Sequence, residues 1–206
     1  LTFFDFCYTT SILVDLYPME LRTFLEQFNL SEEELSLMER IGSEYVFRQG
    51  EDISTFDKTA SSFYFIKEGL IRSYRIIDGD DFTYTFYLPG DICVDYESIL
   101  KKNPSQHYFE VLAPTITIKY TYAQLEQLFE KHPRVERIAR KMAESAYIRL
   151  LERVREFQSD TLEQRYLNLI KHHEDIFHAA PLQHLASYLG VKPQSLSRIR
   201  AKIVKR

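Results

Sequence analysis

Apolar residues return every three or four positions after Met19, which predicts a helical beginning. The segment "MELRTFLEQF" has the spacing of one short helix. In "NLSEEELSLMER", Ser31 is followed three residues later by Glu34, and this pair predicts a capping box at the start of a second helix. Leu35 and Met38 give that helix its apolar face.

From about Glu44 to Tyr120 the pattern changes to that of strands. The segment "SFYFIKEGLIRSYRIIDGDDFTYTFYLPGD" is rich in Phe, Tyr, Ile and Thr, and "KEG", "DGDD" and "LPGD" interrupt it with turn-forming residues. "HYFEVLAPTITIKYT" predicts two more strands around Pro114. Short strands separated by turns in this way predict an antiparallel barrel or jelly roll.

Helical spacing then returns in "TYAQLEQLFEKHP" and in a longer segment, "PRVERIARKMAESAYIRLLERVREFQ". About 24 residues of helix would reach roughly 36 Å. Its apolar surface is wider than one core requires, so we expect it to pack against its copy in a second subunit as well. The alternative is that it only covers the barrel. The predicted dimer contacts are Val135, Ile138, Met142, Ala146 and Leu150. An adjoining stripe holds Ala143, Tyr147, Leu150, Leu151 and Val154.

The last part of the chain predicts a further helix and then a helix-turn-helix. "SDTLEQRYLNLIKHH" has an inner face of Leu162, Tyr166, Leu169 and Ile170. In "PLQHLASYLGVKPQSLSRIR", apolar residues at helical spacing run up to Gly190, where a positive φ makes a tight turn easy. Val191 plugs the junction, and Pro193 fits the first turn of a second helix. The buried faces are Leu182, Leu185, Ala186 and Leu189, then Leu196, Ile199 and Ile203.

The opposite face of the second helix carries chemistry suited to DNA. Gln194 can pair with adenine edges and Arg198 with guanine O6 and N7, while hydroxyl and ammonium groups suit phosphate. The predicted DNA-binding residues are Lys192, Gln194, Ser195, Ser197, Arg198, Arg200 and Lys202. Lys205 and Arg206 add positive charge of the kind that strengthens binding through counterion release. A merely solvated basic helix is the alternative. Since only three residues follow Ile203, a wing hairpin is missing or lies upstream.

The uneven distribution of charged residues along the chain indicates two domains with different partners. Residues 131–206 hold 16 Lys/Arg against 8 Asp/Glu, whereas residues 1–130 hold 10 against 22. Cys7 and Cys93 have no CxxC spacing, so neither a disulfide framework nor a metal site is indicated, in keeping with a reducing cytoplasm. The helical histidines His172, His173 and His178 imply no ligand geometry, and we predict no metal.

The stretch before Met19 is apolar and aromatic but carries Asp5 and Asp15 and lacks a basic start. It therefore fits a signal peptide poorly, and no uncharged apolar run of about 18 residues predicts a membrane span. Residues 1–18 are interpreted as an upstream extension or an artefact of the start codon, or else as a strand or arm packed on the domain.

Taken together, "FYFIKEGLIRSYRI", "FYLPGD" and "LASYLGVKPQSLSRIR", in this order around a long helix, resemble the cyclic-AMP receptor protein and fumarate–nitrate regulator (Crp/Fnr) superfamily of bacterial transcription factors. The likeness covers nearly everything from Met19 onward. It implies an α+β fold with a cyclic-nucleotide-binding-type β-roll, a dimerisation helix and a winged-helix-like helix-turn-helix domain. It also implies control of promoter binding, and RNA polymerase as a partner.

The ligand site departs from the family's pattern. Val94 and Asp95 stand where cyclic-nucleotide binders have a Gly-Glu pair, and Ser105 and Gln106 stand where they have an Arg followed by Ser or Thr. Val has a Cβ that keeps a nucleotide further away than Gly would. The missing Arg removes a charge-assisted phosphate contact of ~1.5–3 kcal/mol, one to two orders of magnitude in affinity. We expect no usual response to cyclic AMP, no bound cofactor, and either another small ligand or none. The tentative pocket is Arg72, Val94, Asp95, Ser105 and Gln106.

Other functions fit less well. The iron–sulfur branch of the family needs several N-terminal cysteines, and only Cys7 lies there. A metal-dependent cupin enzyme needs two or three His with a carboxylate, and His107 is the only histidine between Glu44 and Tyr120. A ligand-binding regulatory module without DNA contact remains the alternative, against which the basic helix-turn-helix counts.

The sequence therefore predicts a cytoplasmic, non-enzymatic homodimer that binds a palindromic operator on double-stranded DNA, with half-sites about 34 Å apart. The predicted organisation is an extension over residues 1–18 and a sensory β-roll over 19–130. A dimerisation helix over 131–158 and a DNA-binding domain over 159–206 follow. A shift of the dimer helix would change the populations of binding-competent and incompetent forms.

Overall fold

The computed structural model of the chain describes residues 18–53 and 56–204, and residues 1–17 of the predicted extension lie outside them. In the described part, helices flank an antiparallel sheet, which confirms the predicted fold class. The strands are β1 (Ser43–Phe47), β2 (Ser62–Ile77), β3 (Asp80–Tyr87), β4 (Ile92–Cys93) and β5 (Tyr108–Thr121). The helices are α1 (Leu21–Glu26), α2 (Glu32–Ile41), α3 (Tyr96–Lys101), α4 (Tyr122–Lys131), α5 (Pro133–Ser159), α6 (Leu162–His172), α7 (Glu174–Ala179), α8 (Leu182–Tyr188) and α9 (Pro193–Val204).

The capping box at the start of α2 is present as predicted. The Ser31 hydroxyl accepts from the Glu34 backbone N–H at 3.2 Å, and the Ser31 backbone N–H donates to the Glu34 carboxylate at 2.7 Å. Two of the helix's otherwise unpaired N–H groups are satisfied in this way. At its other end the Tyr120 hydroxyl donates to the Met38 carbonyl at 3.1 Å, which ties α2 to the sheet.

The sheet has the order β1-β5-β2-β3, and β4 pairs with β2. Two predicted breaks are wrong, because β2 runs unbroken through "KEG" and β5 runs unbroken through Pro114. Gly69 has φ +100°, and a Cβ there would lie 2.4 Å from the Pro114 carbonyl oxygen. The β2–β5 register shifts on both sides of this point. The glycine and the proline therefore face each other at a bulge that bends both long strands without ending them.

One apolar cluster joins the sheet to the C-terminal helices and so fixes where the helix-turn-helix lies. The sheet contributes Leu70, Phe86 and Leu112, and Leu88 follows directly after β3. The helices contribute Tyr166, Leu169, Ile176, Ala180, Leu185, Ala186, Leu189 and Leu196. A second cluster packs α1, α2 and α4 against the sheet around Phe65. The helices α3 and α7 were not predicted. Both are six residues long, too short for a periodic pattern to stand out.

Candidate nucleic-acid interface and sensory cavity

The helix-turn-helix is built by the signals that the sequence carries. Gly190 adopts φ +71° at the turn, and the Val191 N–H donates to the Ala186 carbonyl at 2.9 Å. Leu185 and Leu196 are buried, so the two helices share one interior. Because the turn is hydrogen-bonded and the contact between the helices is buried, α8 and α9 form a single compact unit.

The outer face of α9 is open to solvent. Gln194 and Arg198 are both exposed, as the prediction requires of residues that reach base edges. Of the other predicted DNA-binding residues, Ser195 is half-buried, and those that are exposed are Lys192, Ser197, Arg200 and Lys202. Six of the seven predicted residues are therefore exposed, on α9 or directly before it.

Lys202 has a protein partner in addition to its exposure. Its ammonium lies 2.6 Å from the Glu163 carboxylate on α6. A pair this exposed contributes little to stability, about 0–1 kcal/mol, but it neutralises part of the charge that a phosphate would meet. The charge of Lys202 is therefore partly neutralised by Glu163 in this arrangement.

A wing is absent from the helical part of the described chain. All strands lie within residues 43–121, and residues 122–204 contain helices and the turns between them. Candidate DNA contacts in this region therefore come from helices.

The long helix α5 has 27 residues and two different surfaces. Val135 is only 5% exposed and packs with Met142 against the N-terminal cluster. These two predicted dimer residues thus belong to the contact between α5 and the body of the same chain, because α1, α2 and α4 cover that side. Exposed apolar side chains lie further along the helix, including Tyr147 at 61% and Leu150 at 56%, with Leu151, Val154 and Phe157. Ile138 is half-buried and Ala146 is exposed.

The α5 helix also contacts the turn of the helix-turn-helix. The Arg153 guanidinium lies 3.7 Å from the centre of the Tyr188 ring and donates to the Tyr188 carbonyl at 2.9 Å. Phe157 lies against Gly190, where an added Cβ would be 2.6 Å from a ring carbon. These contacts join residues that are far apart in sequence, so no local sequence pattern predicts them.

The β-roll contains a small cavity of about 20 Å³. This is about the space that one water molecule needs. It is lined by Ile53, Ala60, Ser62, Tyr64, Cys93, Val94, Asp95 and Phe109. Of the tentative pocket residues, only Val94 and Asp95 line it.

The side chains of Asp95 and Ser105 are hydrogen-bonded to each other. One Asp95 carboxylate oxygen accepts from the Ser98 N–H at 3.0 Å and caps α3, and the other accepts from the Ser105 hydroxyl at 2.5 Å. Both residues are buried. Asp is a favoured N-cap residue, so Asp95 itself was a signal for this helix, which the sequence analysis did not use. Gln106 lies outside this pair and accepts from Arg75.

Arg72 lies elsewhere in the sheet, which corrects its placement in the pocket. The side chain is 3% exposed, and its guanidinium makes a two-pronged contact with Asp81, at 2.8 and 2.6 Å, and another with Glu110 at 2.7 Å. Burial works to lower the pKa of Arg72, but the hydrogen bonds and charges of Asp81 and Glu110 raise it overall. The positive charge of Arg72 is therefore paired with these two carboxylates of the same chain.

Across residues 18–53 and 56–204, no three or more His, Cys, Asp or Glu side chains come together as metal ligands. In the same ranges, no helix combines the length and the hydrophobicity that crossing a bilayer demands.

Comparison with known proteins extends this description. Residues 44–132 match the family of the cyclic nucleotide-binding domain. FixK2 from Bradyrhizobium japonicum shares the fold with a TM-score of 0.69 and 19% identity, over 80% of this chain and 85% of that one. A CooA mutant from Carboxydothermus hydrogenoformans gives 0.67 and 14%, over 92% and 87%. The c-di-GMP responsive global regulator CLP of Xanthomonas campestris gives 0.65 and 13%, over 85% and 92%. No curated protein matches the chain by sequence. The chain therefore matches the cyclic nucleotide-binding domain family over residues 44–132 and, across most of its length, has the fold of FixK2, CooA and CLP.

Proposed function

We propose that this protein is a sequence-specific DNA-binding transcription regulator that acts as a homodimer, and not an enzyme. The observation that carries the proposal is the exposed outer face of α9, where Gln194 and Arg198 stand one turn apart. The 12-residue helix α9 is about 18 Å long, and an α-helix with its side chains is about 10–12 Å across, which fits a major groove about 12 Å wide. We further propose that it acts in the cytoplasm, with RNA polymerase as a partner.

Base discrimination would come from Gln194 and Arg198, and positioning from contacts to phosphate. Arg can donate two hydrogen bonds to guanine, and Gln can pair with adenine, each worth about 1–3 kcal/mol of discrimination against the wrong base. Lys192, Ser195, Ser197 and Arg200 would contact the backbone, with Lys202 contributing less because of its pairing with Glu163.

Dimerisation would use the exposed stripe of α5. A row of uncovered apolar side chains at helical spacing is costly in water and pairs well with its own copy. The proposed interface is Ala146, Tyr147, Leu150, Leu151 and Val154. A two-fold dimer would present its two α9 helices to successive major grooves about 34 Å apart on an inverted repeat.

The β-roll would respond to cyclic AMP weakly or not at all. Val94 narrows a cavity that holds about one water, and the carboxylate of Asp95 is already occupied by Ser98 and Ser105. Among the residues that the structure describes, no arginine lines the cavity to meet a cyclic phosphate. Calorimetric titration of the protein with cyclic AMP should show no binding at micromolar concentrations, and tight binding would refute this part of the proposal.

Selection of bound DNA from a random pool tests the proposal as a whole. We expect an inverted repeat to be enriched with the unmodified protein. With Arg198→Ala, preference at one base of each half-site should relax by roughly 1–3 kcal/mol, or about 5- to 150-fold. Arg140→Ala, which removes another exposed arginine, from α5, is the matched control and should leave the preference unchanged. A pool that stays random with the unmodified protein would favour a ligand-binding module without DNA contact.

A further inference from the structure

The C-terminal end of α8 is held from two sides by elements outside the helix-turn-helix. Its last two residues, Ser187 and Tyr188, are adjacent in sequence but face different neighbours. Ser187 contacts strand β3 of the sensory sheet, and Tyr188 contacts the long helix α5. This junction is therefore where the sheet, the proposed dimer helix and the proposed DNA-binding unit meet.

On the sheet side, one hydroxyl makes two hydrogen bonds. Ser187 Oγ donates to the Asp81 carbonyl at 2.8 Å and accepts from the Thr83 N–H at 2.8 Å. A hydroxyl that both donates and accepts fixes the orientation of its residue more firmly than a single bond would. The Phe86 ring of the same strand lies 5.3 Å from the Tyr188 ring, which adds an apolar contact.

On the helix side, Arg153 makes two different contacts with one residue. Its guanidinium stacks over the Tyr188 ring and also donates to the Tyr188 carbonyl. A planar, forked cation can satisfy both at once, which Lys cannot. One turn further along α5, Phe157 packs against Gly190 in the turn between α8 and α9.

These contacts have a geometric consequence for the proposed dimer, and the inference rests on the proposed function. If paired α5 helices form the frame of the dimer, the angle between α5 and α8 sets where each α9 lies. Arg198 lies about 7.5 Å along α9 from its first residue, so a rotation of about 13° there moves it by about 1.7 Å, and the two protomers of the dimer together by about 3.4 Å. That is close to the 3.4 Å rise of one base pair. A small change at this junction would thus alter the half-site spacing that the dimer fits.

We propose that Arg153 is a positioning residue that fixes the spacing between half-sites, with Ser187 holding the same junction from the sheet. Arg153 need not touch DNA. It acts through Tyr188 by preventing rotation of the α8–α9 unit on the end of α5.

Spacing selection tests this inference with the full chain. The DNA pool holds two constant half-sites, taken from the sequence enriched by the unmodified protein, separated by random spacers of varied length. The unmodified protein should enrich one length. Arg153→Ala should spread the enrichment over neighbouring lengths and reduce the preference for the best spacer over those one base pair shorter or longer by about tenfold. The half-site sequence preference should stay unchanged.

Matched variants separate positioning from a general loss of structure. Arg155→Ala removes the neighbouring exposed arginine, whose nearest carboxylate is 3.8 Å away, and should keep the single spacer. Arg153→Lys should give an intermediate spread, and it serves as the test if Arg153→Ala does not fold by circular dichroism. Ser187→Ala should also broaden the spacing.

Three outcomes are decisive. Failure of the unmodified protein to enrich any DNA refutes the proposed function itself. Enrichment by the unmodified protein with an unchanged spacer for Arg153→Ala overturns the inference alone. Affinity that falls equally at every spacer length also overturns it, because that is what a purely stabilising residue would do.

Discussion

Replacing Gly190 by alanine tests the packing on which the orientation of the helix-turn-helix depends. Two costs add at this position. The φ of +71° is one that a residue with a Cβ adopts at about 1–2 kcal/mol. The new methyl carbon would also lie 2.6 Å from a ring carbon of Phe157, and relieving such a contact in a packed region costs about 1–3 kcal/mol. The free energy of unfolding should therefore fall by about 2–5 kcal/mol.

Gly79→Ala provides the matched control. Gly79 also has a positive φ, +85°, but an added Cβ there would meet nothing within 4 Å. Only the backbone cost applies, so we expect about 1–2 kcal/mol. The gain in unfolded-state stiffness from Gly to Ala is common to both variants and cancels in their comparison. The difference between them isolates the contact with Phe157.

A double-mutant cycle measures that contact directly. In a Phe157→Ala background the ring is gone, and Gly190→Ala should then cost no more than Gly79→Ala does. Urea unfolding followed by far-ultraviolet circular dichroism, with m-values compared between variants, supplies the free energies. If Gly190→Ala costs the same with and without the Phe157 ring, the turn does not pack on α5 as described, and the inference about spacing loses its basis.

Three further predictions concern association, DNA affinity and pH. Leu150→Glu should weaken the proposed dimer at least about 100-fold in sedimentation equilibrium, because two apolar contacts worth about 1.5–3 kcal/mol each are lost across the two-fold axis. The control Leu100→Glu, at a similarly exposed position on α3, should leave the dimer unchanged. A dimer unaffected by both substitutions would contradict the assignment of the α5 stripe. Glu163→Gln frees Lys202 for phosphate, so DNA binding should strengthen at low salt. The slope of log affinity against log salt concentration should steepen by up to about 0.9 per half-site. Adding Lys202→Met should abolish this change. Burial, followed by the nearby Arg72 charge, lowers the pKa of His184 in the folded state. The unfolded state therefore binds the proton more readily, and the free energy of unfolding should fall as the pH drops below about 6.5. His184→Gln should flatten that part of the stability–pH curve, and an unchanged curve would show that His184 is not held neutral.

Local signals in the sequence predicted the cap of α2 and the helix-turn-helix. Ser31 with Glu34, and Gly190 followed by Pro193, act through their own backbone, so the cap and the turn form wherever the chain places them. The exposed positions of Gln194 and Arg198 follow from the helical period once the turn is fixed.

Contacts between distant segments escaped prediction for physical reasons. The sequence "KEG" and Pro114 each predict a break, but the two face each other across β2 and β5, and their mutual bulge keeps both strands whole. Only the pairing of the strands decides this, and pairing is not a property of either segment alone. The contact of Arg153 with Tyr188 is hidden for the same reason.

The long helix shows a different limit of sequence patterns. Apolar residues occupy more than one stripe, and spacing cannot say which stripe the same chain covers. The structure buries Val135 under the N-terminal helices and leaves Tyr147 and Leu150 uncovered. Of the predicted dimer residues, Val135 is therefore core, whereas Ala146 and Leu150 remain exposed beside Tyr147, Leu151 and Val154.

Charge asymmetry gives the proposed DNA complex a preferred direction of approach. Residues 1–130 carry 10 Lys/Arg against 22 Asp/Glu, and residues 131–206 carry 16 against 8. A polyanion is repelled by the first part and attracted by the second, so encounters are oriented toward α9 before any base is contacted. At physiological ionic strength this field fades over about 8 Å, so the acidic sheet, including the exposed Asp78 and Asp80 of its hairpin, acts on the approach more than on contacts already formed. Because the same acids oppose attachment of DNA elsewhere on the surface, an acidic protein can bind DNA tightly at one end, and its total charge says little about whether it does.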